Sequence, residues 1–359
     1  MSPSFHRGKW RIYFHVHNAP LANVFLNQWI STKNALRAPS GYGKFKMTIE
    51  LAASRKALTN AQLDLDDVAV TPDHLATAWV GVDLTLLGAC SPAGFDEAPI
   101  DHLNYPRLAA SVKAAQQGGI DFVTLGLDFH NSSDSAGSEY SLDAVKTAAR
   151  LADVSTAGVF AGVVGTPKDM NVAVDLLASQ TDGWAGITIT LATDSDFDGI
   201  VATTKNARAA GIRICVIITN PSITPGRAKL IASIADTVRL RVADPHAARE
   251  ARFAIRAAGQ EINKDVLVFV ELGIVISASV EAAEERAHLI EKINGCDPFE
   301  GIACVLGTVY SVADAIESWV GLGAADGIIL VPASLPTDLA SVLRGVLPLM
   351  EARAQLDRA

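Results

Sequence analysis

From Gly81 onward, the chain alternates short apolar runs with longer stretches in which apolar residues recur at helical spacing. The short runs are apolar at almost every position, which predicts strands of a parallel sheet covered on both faces. There are eight of them: Val82–Ala89, Ile120–Leu127, Ala157–Val164, Trp184–Leu191, Ile212–Thr219, Thr237–Val242, Val266–Ile276 and Asp326–Val331.

Helical spacing predicts a helix in each stretch between the strands and at the end of the chain. The predicted helices are Tyr105–Gln117, Ser141–Asp153, Lys168–Ser179, Phe197–Ala210, Gly226–Ala235, Pro245–Ala258, Val280–Ile293, Val312–Leu322 and Leu339–Leu356. Glycines at 118, 119, 211 and 259 are expected to end the preceding helices.

Eight strand–helix units predict an α/β protein with a (β/α)₈ (TIM) barrel over residues 80–359. The competing fold is a doubly wound open sheet, which often has a glycine-rich first turn. The first turn here, Gly88-Ala-Cys-Ser-Pro92, does not resemble one. In a barrel, function is expected in the loops that follow the strands.

Charge separates the start of the chain from the rest. Residues 1–49 contain seven Lys and Arg residues and no acid, whereas the whole chain has a net charge of −9. The acidic body argues against a nucleic-acid partner. We expect residues 1–79 to be a non-catalytic extension, with a nucleic-acid arm, a targeting segment or a true start at Met47 as alternatives.

Cysteine usage and hydropathy indicate the compartment. The four cysteines show no Cys-x-x-Cys spacing, so neither a disulfide framework nor a zinc site is expected, and a reducing cytoplasm fits best. The sequence lacks an apolar run of about 18 residues, so no membrane span is predicted.

The order of short motifs resembles the bacterial-luciferase-like flavin-dependent monooxygenases, and within them the nitrilotriacetate and sulfone monooxygenase branch. The resemblance covers roughly residues 80–356. At the end of the chain it rests on Gly307-Thr308, the helix Ser311–Trp319 and Gly323-Ala-Ala-Asp-Gly-Ile-Ile-Leu-Val-Pro332. Further support comes from Asp236-Thr-Val238, Asp244-Pro245, Ser279–Ala287 and Gly119–Gly126.

The resemblance implies a flavin site. In the family, a turn reading Gln-Ala-Gly-x-Ser-x-x-Gly-Arg holds the flavin phosphate, and Thr219–Arg227 has the same length. Thr219, Pro221 and Ile223 replace the Gln, the Gly and the Ser, whereas Ser222 and Gly226 remain as usable phosphate contacts. A second flavin motif aligns with residues 181–188, where Trp184 replaces an Arg and Thr188 an Asn. The residues implied to bind the cofactor are therefore Thr188, Thr219, Ser222 and Gly226.

The cofactor and partners follow from the same resemblance. It implies reduced FMN, or the deazaflavin F420, supplied by a separate flavin reductase, with a small organic molecule as substrate. It also implies a homodimer. In the family the cofactor performs the oxygen chemistry, so few catalytic side chains are needed.

Asp128 and His130 follow the second predicted strand and are the candidate catalytic residues. The resemblance places an acid or His near the flavin edge there, and His is suited to proton transfer near neutral pH. Solvated loop residues are the alternative.

Other residues allow two interpretations. Asp83 and Glu271 interrupt apolar strands, so each is either a site residue or part of an internal salt bridge. Cys215 suits a core filler better than a nucleophile. Four residues of the first loop could suggest a metal, but no metal site is predicted because loop acids are usually solvated: Asp96, Glu97, Asp101 and His102.

Three functions remain open from the sequence. The favoured one is a flavin-dependent monooxygenase-like oxidoreductase. The second is a diverged barrel that has weak or lost flavin binding and acts as a binding or partner subunit. The third, an unrelated barrel enzyme such as an aldolase, is disfavoured because no strand-end lysine suits a Schiff base.

Overall fold

The computed structural model describes residues 78–88, 104–130, 142–152, 155, 158–178, 185–192, 195–335 and 337–358. These residues belong to one compact unit, Pro72–Ala359. The predicted extension lies outside them except for residues 78 and 79, so its separateness stays a prediction. None of the described helices has the length and hydropathy needed to cross a membrane.

The described strands form one parallel sheet that closes on itself. β1 to β7 pair in chain order, and the last strand, β9, pairs with both β7 and β1. This ring of eight strands confirms the predicted (β/α)₈ barrel. The strands are β1 Trp79–Asp83, β2 Phe122–Leu125, β3 Gly158–Gly162, β4 Ala185–Thr190, β5 Ile212–Ile218, β6 Thr237–Leu240, β7 Leu267–Ile276, β8 Ala303–Gly307 and β9 Gly327–Pro332.

Two features of the strands differ from the prediction. β1 lies about three residues earlier, because Asp83 accepts a hydrogen bond from the Thr85 N–H and a 3₁₀ turn begins there. β8 was not predicted. The ten-residue β7 pairs with β6 only along its first half, and β8 covers the same edge of its second half, Leu272–Ile276. A strand that outruns its neighbour needs such a partner.

The helices cover the outside of the ring, and seven of the described ones begin with a side-chain cap. The caps are Asn104, Thr166, Asp196, Thr224, Asp244, Ser279 and Thr308, which accept backbone N–H groups of the first turn. The helices are α1 Tyr105–Gln117, α2 Asp143–Leu151, α3 Pro167–Ala178, α4 Phe197–Ala209, α5 Pro225–Ile234, α6 Pro245–Glu261, α7 Val280–Asn294, α8 Val309–Gly321, α9 Thr337–Ser341 and α10 Leu347–Arg358.

Two helices differ from the prediction. α6 continues through Gly259, because this glycine allows the helix to approach the Lys264 carbonyl; a Cβ there would lie 2.6 Å from that oxygen. Asn263, at φ 53°, adopts the left-handed conformation instead. The single helix predicted over Leu339–Leu356 is α9, a π-helical turn at Val342–Val346, and α10.

Three aspartates lock neighbouring strands together at the amino-terminal end of the barrel. Asp121, Asp236 and Asp326 each donate their N–H to the carbonyl of a residue on the adjacent strand and accept that residue's N–H on the carboxylate. The partners are Val80, Ile214 and Val268, respectively. Each aspartate therefore satisfies both backbone groups at the start of a strand, which fixes the register there.

The lower part of the barrel interior is filled by aromatic side chains. Phe122, Phe160 and Phe269 are buried with Cys215 and Ile329. The Phe122 ring lies 5.5 Å from Phe160, edge to face, and 5.1 Å from Phe269, stacked. The aromatic filling shows that the centre of the barrel is a packed core rather than a pore.

Replacing Gly186 by alanine is expected to destabilise this core. A Cβ at Gly186 would collide with the Phe160 ring and would lie 2.9 Å from the Arg213 carbonyl. Overpacking of this kind costs about 1–3 kcal/mol, which thermal melting would detect. Gly321→Ala is the control, because a Cβ there has no atom within 4 Å. Equal melting temperatures for the two variants would contradict the proposed packing.

Candidate functional site

An ion-pair network lies inside the barrel, above the aromatic core. Arg239 on β6 donates from Nε to Glu271 on β7 and from Nη2 to Asp83 on β1, at 2.5 and 2.7 Å. Its Nη1 donates to the Thr124 hydroxyl on β2 at 3.1 Å, and that hydroxyl donates to Asp83 at 2.8 Å. One guanidinium therefore joins four strands across the barrel.

Burial and pairing decide the protonation of this network. Burial alone would raise the pKa of Asp83, but the charge of Arg239 and hydrogen bonds from Thr85 and Arg239 outweigh it and hold the pKa below its usual value. Burial would likewise lower the pKa of Arg239, but Glu271 and Asp83 raise it. Both groups are thus charged at neutral pH. Of the two roles left open for Asp83 and Glu271, the structure shows the internal salt bridge.

Arg241 extends the network to the mouth of the barrel. It lies two residues beyond Arg239, so its side chain projects to the same side of the chain as that of Arg239. Its Nε is 3.5 Å from the Glu271 Oε2, and its side chain is 41% exposed. Within the described part of the chain, its two terminal nitrogens make no hydrogen bond. The barrel mouth therefore presents a guanidinium fork whose stem is held by a buried carboxylate.

Asp128 and His130 lie across the mouth from Arg241, in the loop that follows β2. β2 and β6 are four places apart in the ring of eight, and hence on opposite sides. Asp128 is exposed, whereas His130 is partly buried and its Nδ1 has no hydrogen-bond partner in the described region. The structure places both predicted catalytic residues at the functional end; their catalytic role stays a prediction.

Three apolar side chains are exposed in the loops on that same side. Leu86 follows β1, Leu127 follows β2 and Val164 follows β3. The Leu127 backbone lies against Gly162 at the end of β3, which brings the second and third loops together. The mouth thus has an apolar side opposite a cationic one.

The predicted phosphate turn lies on the rim after β5. Thr219, Ser222 and Gly226 are exposed there. The Ser222 N–H is taken by the Asn220 side chain at 2.9 Å, and Thr224 caps the Arg227 N–H at 3.4 Å. The space beside Gly226 is open to 4 Å around a Cβ position. Its N–H belongs to the first turn of α5, where N–H groups have no acceptor within the helix.

A cleft of about 320 Å³ adjoins this turn. It lies over the carboxyl end of β5 between α4 and α5, and Arg227 is its charged lining residue. The remaining lining is apolar or backbone: Leu191, Ala192, Phe197, Val216, Ile217, Ile218, Leu230 and Ile231. The turn and the cleft together fit an anionic group attached to an apolar body.

Thr188 lies apart from the other three predicted cofactor residues. It pairs with Cys215 inside the barrel, four residues before Thr219 along β5, which corresponds to about 13 Å of strand. Its hydroxyl is buried and has no hydrogen-bond partner of good geometry among the described residues, as is true of Thr237 on the other side of Cys215. Thr188 cannot share one phosphate with the rim turn.

The structure describes some of the remaining candidate residues and not others. Cys215 is a buried core residue, as predicted, and burial raises the pKa of its thiol. Among the described residues, no three His, Cys, Asp or Glu side chains cluster as metal ligands. The first-loop residues Asp96, Glu97, Asp101 and His102, as well as Trp184, lie outside the described residues.

The sequence interpretation missed Arg239 and Arg241. Their signal is the alternation Thr237, Arg239, Arg241 along an otherwise apolar strand. In a barrel strand this spacing places all three side chains toward the interior.

Comparisons with known proteins identify the type of barrel. No family profile and no curated protein sequence is similar to the chain. The structure is similar to the EDTA monooxygenase EmoA from Chelativorans sp. BNC1, with a TM-score of 0.59 at 12% identity over 77% of this chain and 94% of that chain. The fold is that of the luciferase-like monooxygenases.

Two further solved structures share this luciferase-like fold. The riboflavin lyase RcaE, solved with modified FMN and riboflavin, has a TM-score of 0.57 at 12% identity, over 77% of this chain and 92% of that chain. The F420-dependent tetrahydromethanopterin reductase from Methanopyrus kandleri has a TM-score of 0.50 at 11% identity, over 76% of this chain and 99% of that chain. At these identities the likeness establishes the fold.

Proposed function

We propose that this protein is a flavin-dependent oxidoreductase of the monooxygenase type, acting on a small organic molecule at the barrel mouth. One observation carries the proposal: on the rim of a luciferase-like barrel, the turn after β5 exposes Thr219, Ser222 and Gly226 at the start of a helix. Reduced FMN or F420 would be the cofactor, since solved proteins of this fold include one with modified FMN and one that depends on F420.

The turn after β5 would hold the flavin phosphate. The exposed hydroxyls of Thr219 and Ser222 can donate to phosphate oxygens, and so can the first-turn N–H of Gly226. Arg227 adds a positive charge at the adjoining cleft. When bound, the flavin supplies the redox chemistry with oxygen.

The chain's own residues would orient the substrate and move protons. The apolar loops at Leu86, Leu127 and Val164 can cover an organic ring and exclude water from it. His130 would exchange a proton through Nε2, because its Nδ1 is buried, with Asp128 beside it in the same loop.

The proposal includes two partners and a place of action. A separate flavin reductase would supply the reduced cofactor, and a second copy of the chain would form a homodimer in the cytoplasm. These expectations rest on the resemblance of the sequence. Size-exclusion chromatography with light scattering tests the dimer directly.

A diverged barrel that no longer binds flavin is the second candidate. The observation that favours it is the self-contained turn, in which Asn220 and Thr224 already use two of the N–H donors. Pro221 and Pro225 contribute no N–H at all. Such a protein would act as a binding or partner subunit.

Titration of the purified chain with FMN, reduced FMN and F420 separates the two functions. We expect saturable binding of at least one of them, and weaker binding of riboflavin than of FMN because riboflavin lacks the phosphate. Ser222→Asp should weaken FMN binding at least tenfold by charge repulsion in the turn. Its effect on riboflavin should be small.

A control variant and a contradicting outcome make this titration decisive. Ser233→Asp adds the same charge at the opposite end of α5 from the turn and should leave FMN binding unchanged. Absence of binding to all three cofactors at near-millimolar concentration would favour the diverged barrel instead.

A further inference from the structure

We propose that Arg241 binds the carboxylate of an organic-acid ligand in the barrel mouth. The inference deepens the proposed function, because it gives the chemical class of the molecule that the mouth would accept. It rests on that function only for the assumption that the bound molecule is the substrate.

The Arg241 guanidinium makes fewer hydrogen bonds than that of Arg239. Arg239, directly below, donates from Nε, Nη1 and Nη2 to three different partners, so each of its guanidinium nitrogens is already hydrogen-bonded. Among the described residues, the Arg241 side chain has one polar contact, between its Nε and Glu271 at 3.5 Å. A closed Arg–carboxylate pair would be bidentate and shorter. The contact therefore holds the stem of Arg241 in place and leaves its fork available.

Arg241 is held in place through both its backbone and its side chain. The Arg241 N–H donates to the Ile218 carbonyl at 2.9 Å, which ties its backbone to β5. Glu271 is itself fixed, since its other oxygen bonds Arg239 and only 2% of its side chain is exposed. A guanidinium fixed in this way loses little conformational freedom when it binds a ligand.

The charges of this cluster are unevenly distributed between the interior and the mouth. Asp83 and Glu271 lie beside Arg239 in the interior, and Arg241 is the part of the cluster nearest the solvent, at 41% exposed. The positive end of this cluster therefore faces the mouth. A planar fork with two parallel N–H groups matches the two oxygens of a carboxylate.

The mouth also offers an apolar surface for the rest of the ligand. Across the mouth lie the exposed side chains Leu86, Leu127 and Val164. A molecule with a carboxylate at one end and an apolar chain at the other can contact both sides at once. Its apolar end would then lie near Asp128 and His130, which share that side of the mouth.

Binding of a matched pair of small molecules tests the inference. Hexanoate and hexanamide have the same shape and differ in charge, and the full-length protein would be titrated with each by calorimetry. We expect hexanoate to bind at least tenfold more tightly than hexanamide. In Arg241→Gln this advantage should fall to less than twofold, with hexanamide unchanged. Arg241→Lys should keep part of it, as a point charge without the fork.

Three controls isolate the Arg241 fork as the source of the preference. Arg249→Gln removes one positive charge from α6, in the helical layer outside the ring of strands, and should retain the preference for hexanoate. Melting temperatures of the variants report whether each one is folded. Inorganic phosphate serves as a further probe, and weak competition with hexanoate would support recognition of a planar carboxylate.

The outcomes are distinct from those of the flavin titration. No saturable binding of hexanoate to the natural chain, or equal binding by the natural chain and Arg241→Gln, would overturn the inference. Loss of FMN binding in Arg241→Gln with hexanoate binding intact would assign the fork to the flavin and also overturn it. Selective hexanoate binding without any flavin binding would support the inference while the proposed function failed.

Discussion

Replacing Arg239 by methionine is expected to lower the free energy of unfolding by about 3–5 kcal/mol at neutral pH. Without the guanidinium, Asp83 and Glu271 would be two buried like charges: Asp83 would lose its cation, and Glu271 would keep only the 3.5 Å contact with Arg241. The Thr124 hydroxyl would also lose one of its partners. Urea unfolding monitored by circular dichroism measures the loss.

Two further variants show whether the unpaired charge is the cause. Arg241→Met removes the same chemical group two residues along, where it is half-exposed and loosely paired, and should cost at most about 1 kcal/mol. Adding Asp83→Asn and Glu271→Gln to Arg239→Met should recover most of the loss, because the interior then holds no net charge. An Arg239→Met protein as stable as the natural chain would refute the buried network.

The pH dependence of stability tests the same network, because lowering the pH should have opposite effects on the natural protein and on Arg239→Met. In the natural protein the pKa of Asp83 is held below its unfolded value, so its contribution is complete above about pH 4 and is lost as the pH falls below that. In Arg239→Met, burial without a cation would raise the pKa of Asp83 above the unfolded value. The variant should then gain stability as the pH falls toward about 4.

The network also shows which parts of the fold could be predicted from the sequence. The eight barrel strands were predictable because strands buried on both faces are apolar throughout, and an acid within such a strand must have a partner. Asp83 and Glu271 were therefore recognisable as unusual. Their partner was not, because it depends on how barrel closure brings β6 across from β1.

β8 and the rim turn illustrate a second limit of prediction from the sequence. The run Ala303–Gly307 is too short to specify a strand by itself, and it forms one because β7 outruns β6 and leaves an edge to be paired. The rim turn was recognisable by its length and its Ser and Gly residues. Its hydrogen bonds to Asn220 and Thr224, which decide how many donors remain, depend on backbone geometry.

Replacing Asp338 by alanine is expected to have a comparable effect, about 3–5 kcal/mol. The Asp338 carboxylate is fully buried and accepts two hydrogen bonds from Arg286, at 2.8 and 2.9 Å. It also accepts the N–H groups of Ile276 and Ser334, each at 3.0 Å. Alanine would leave both N–H groups and the guanidinium without this acceptor, and a buried unsatisfied donor costs about 1–3 kcal/mol.

Asp314→Ala provides the matched control. Asp314 also accepts a 2.8 Å hydrogen bond from an arginine, Arg353, but it is 61% exposed, so its loss should cost at most about 1 kcal/mol. Urea unfolding of both variants measures the difference. If the two losses were equal, the buried position of Asp338 would not matter.

The consequence of the Asp338 variant should extend to the barrel mouth. Asp338 joins the end of β7, through Ile276, to the loop after β9, through Ser334, and Arg286 on α7 closes the contact. Cutting this link should speed hydrogen exchange at Ile276 and Ser334 more than at Val82 in β1, since local opening no longer breaks a charged hydrogen bond. Uniform acceleration would mean that the carboxylate stabilises the whole barrel rather than its mouth.

The same rim contains the loops on which ligand binding is proposed, so local acceleration should be accompanied by weaker hexanoate binding even where the variant remains folded.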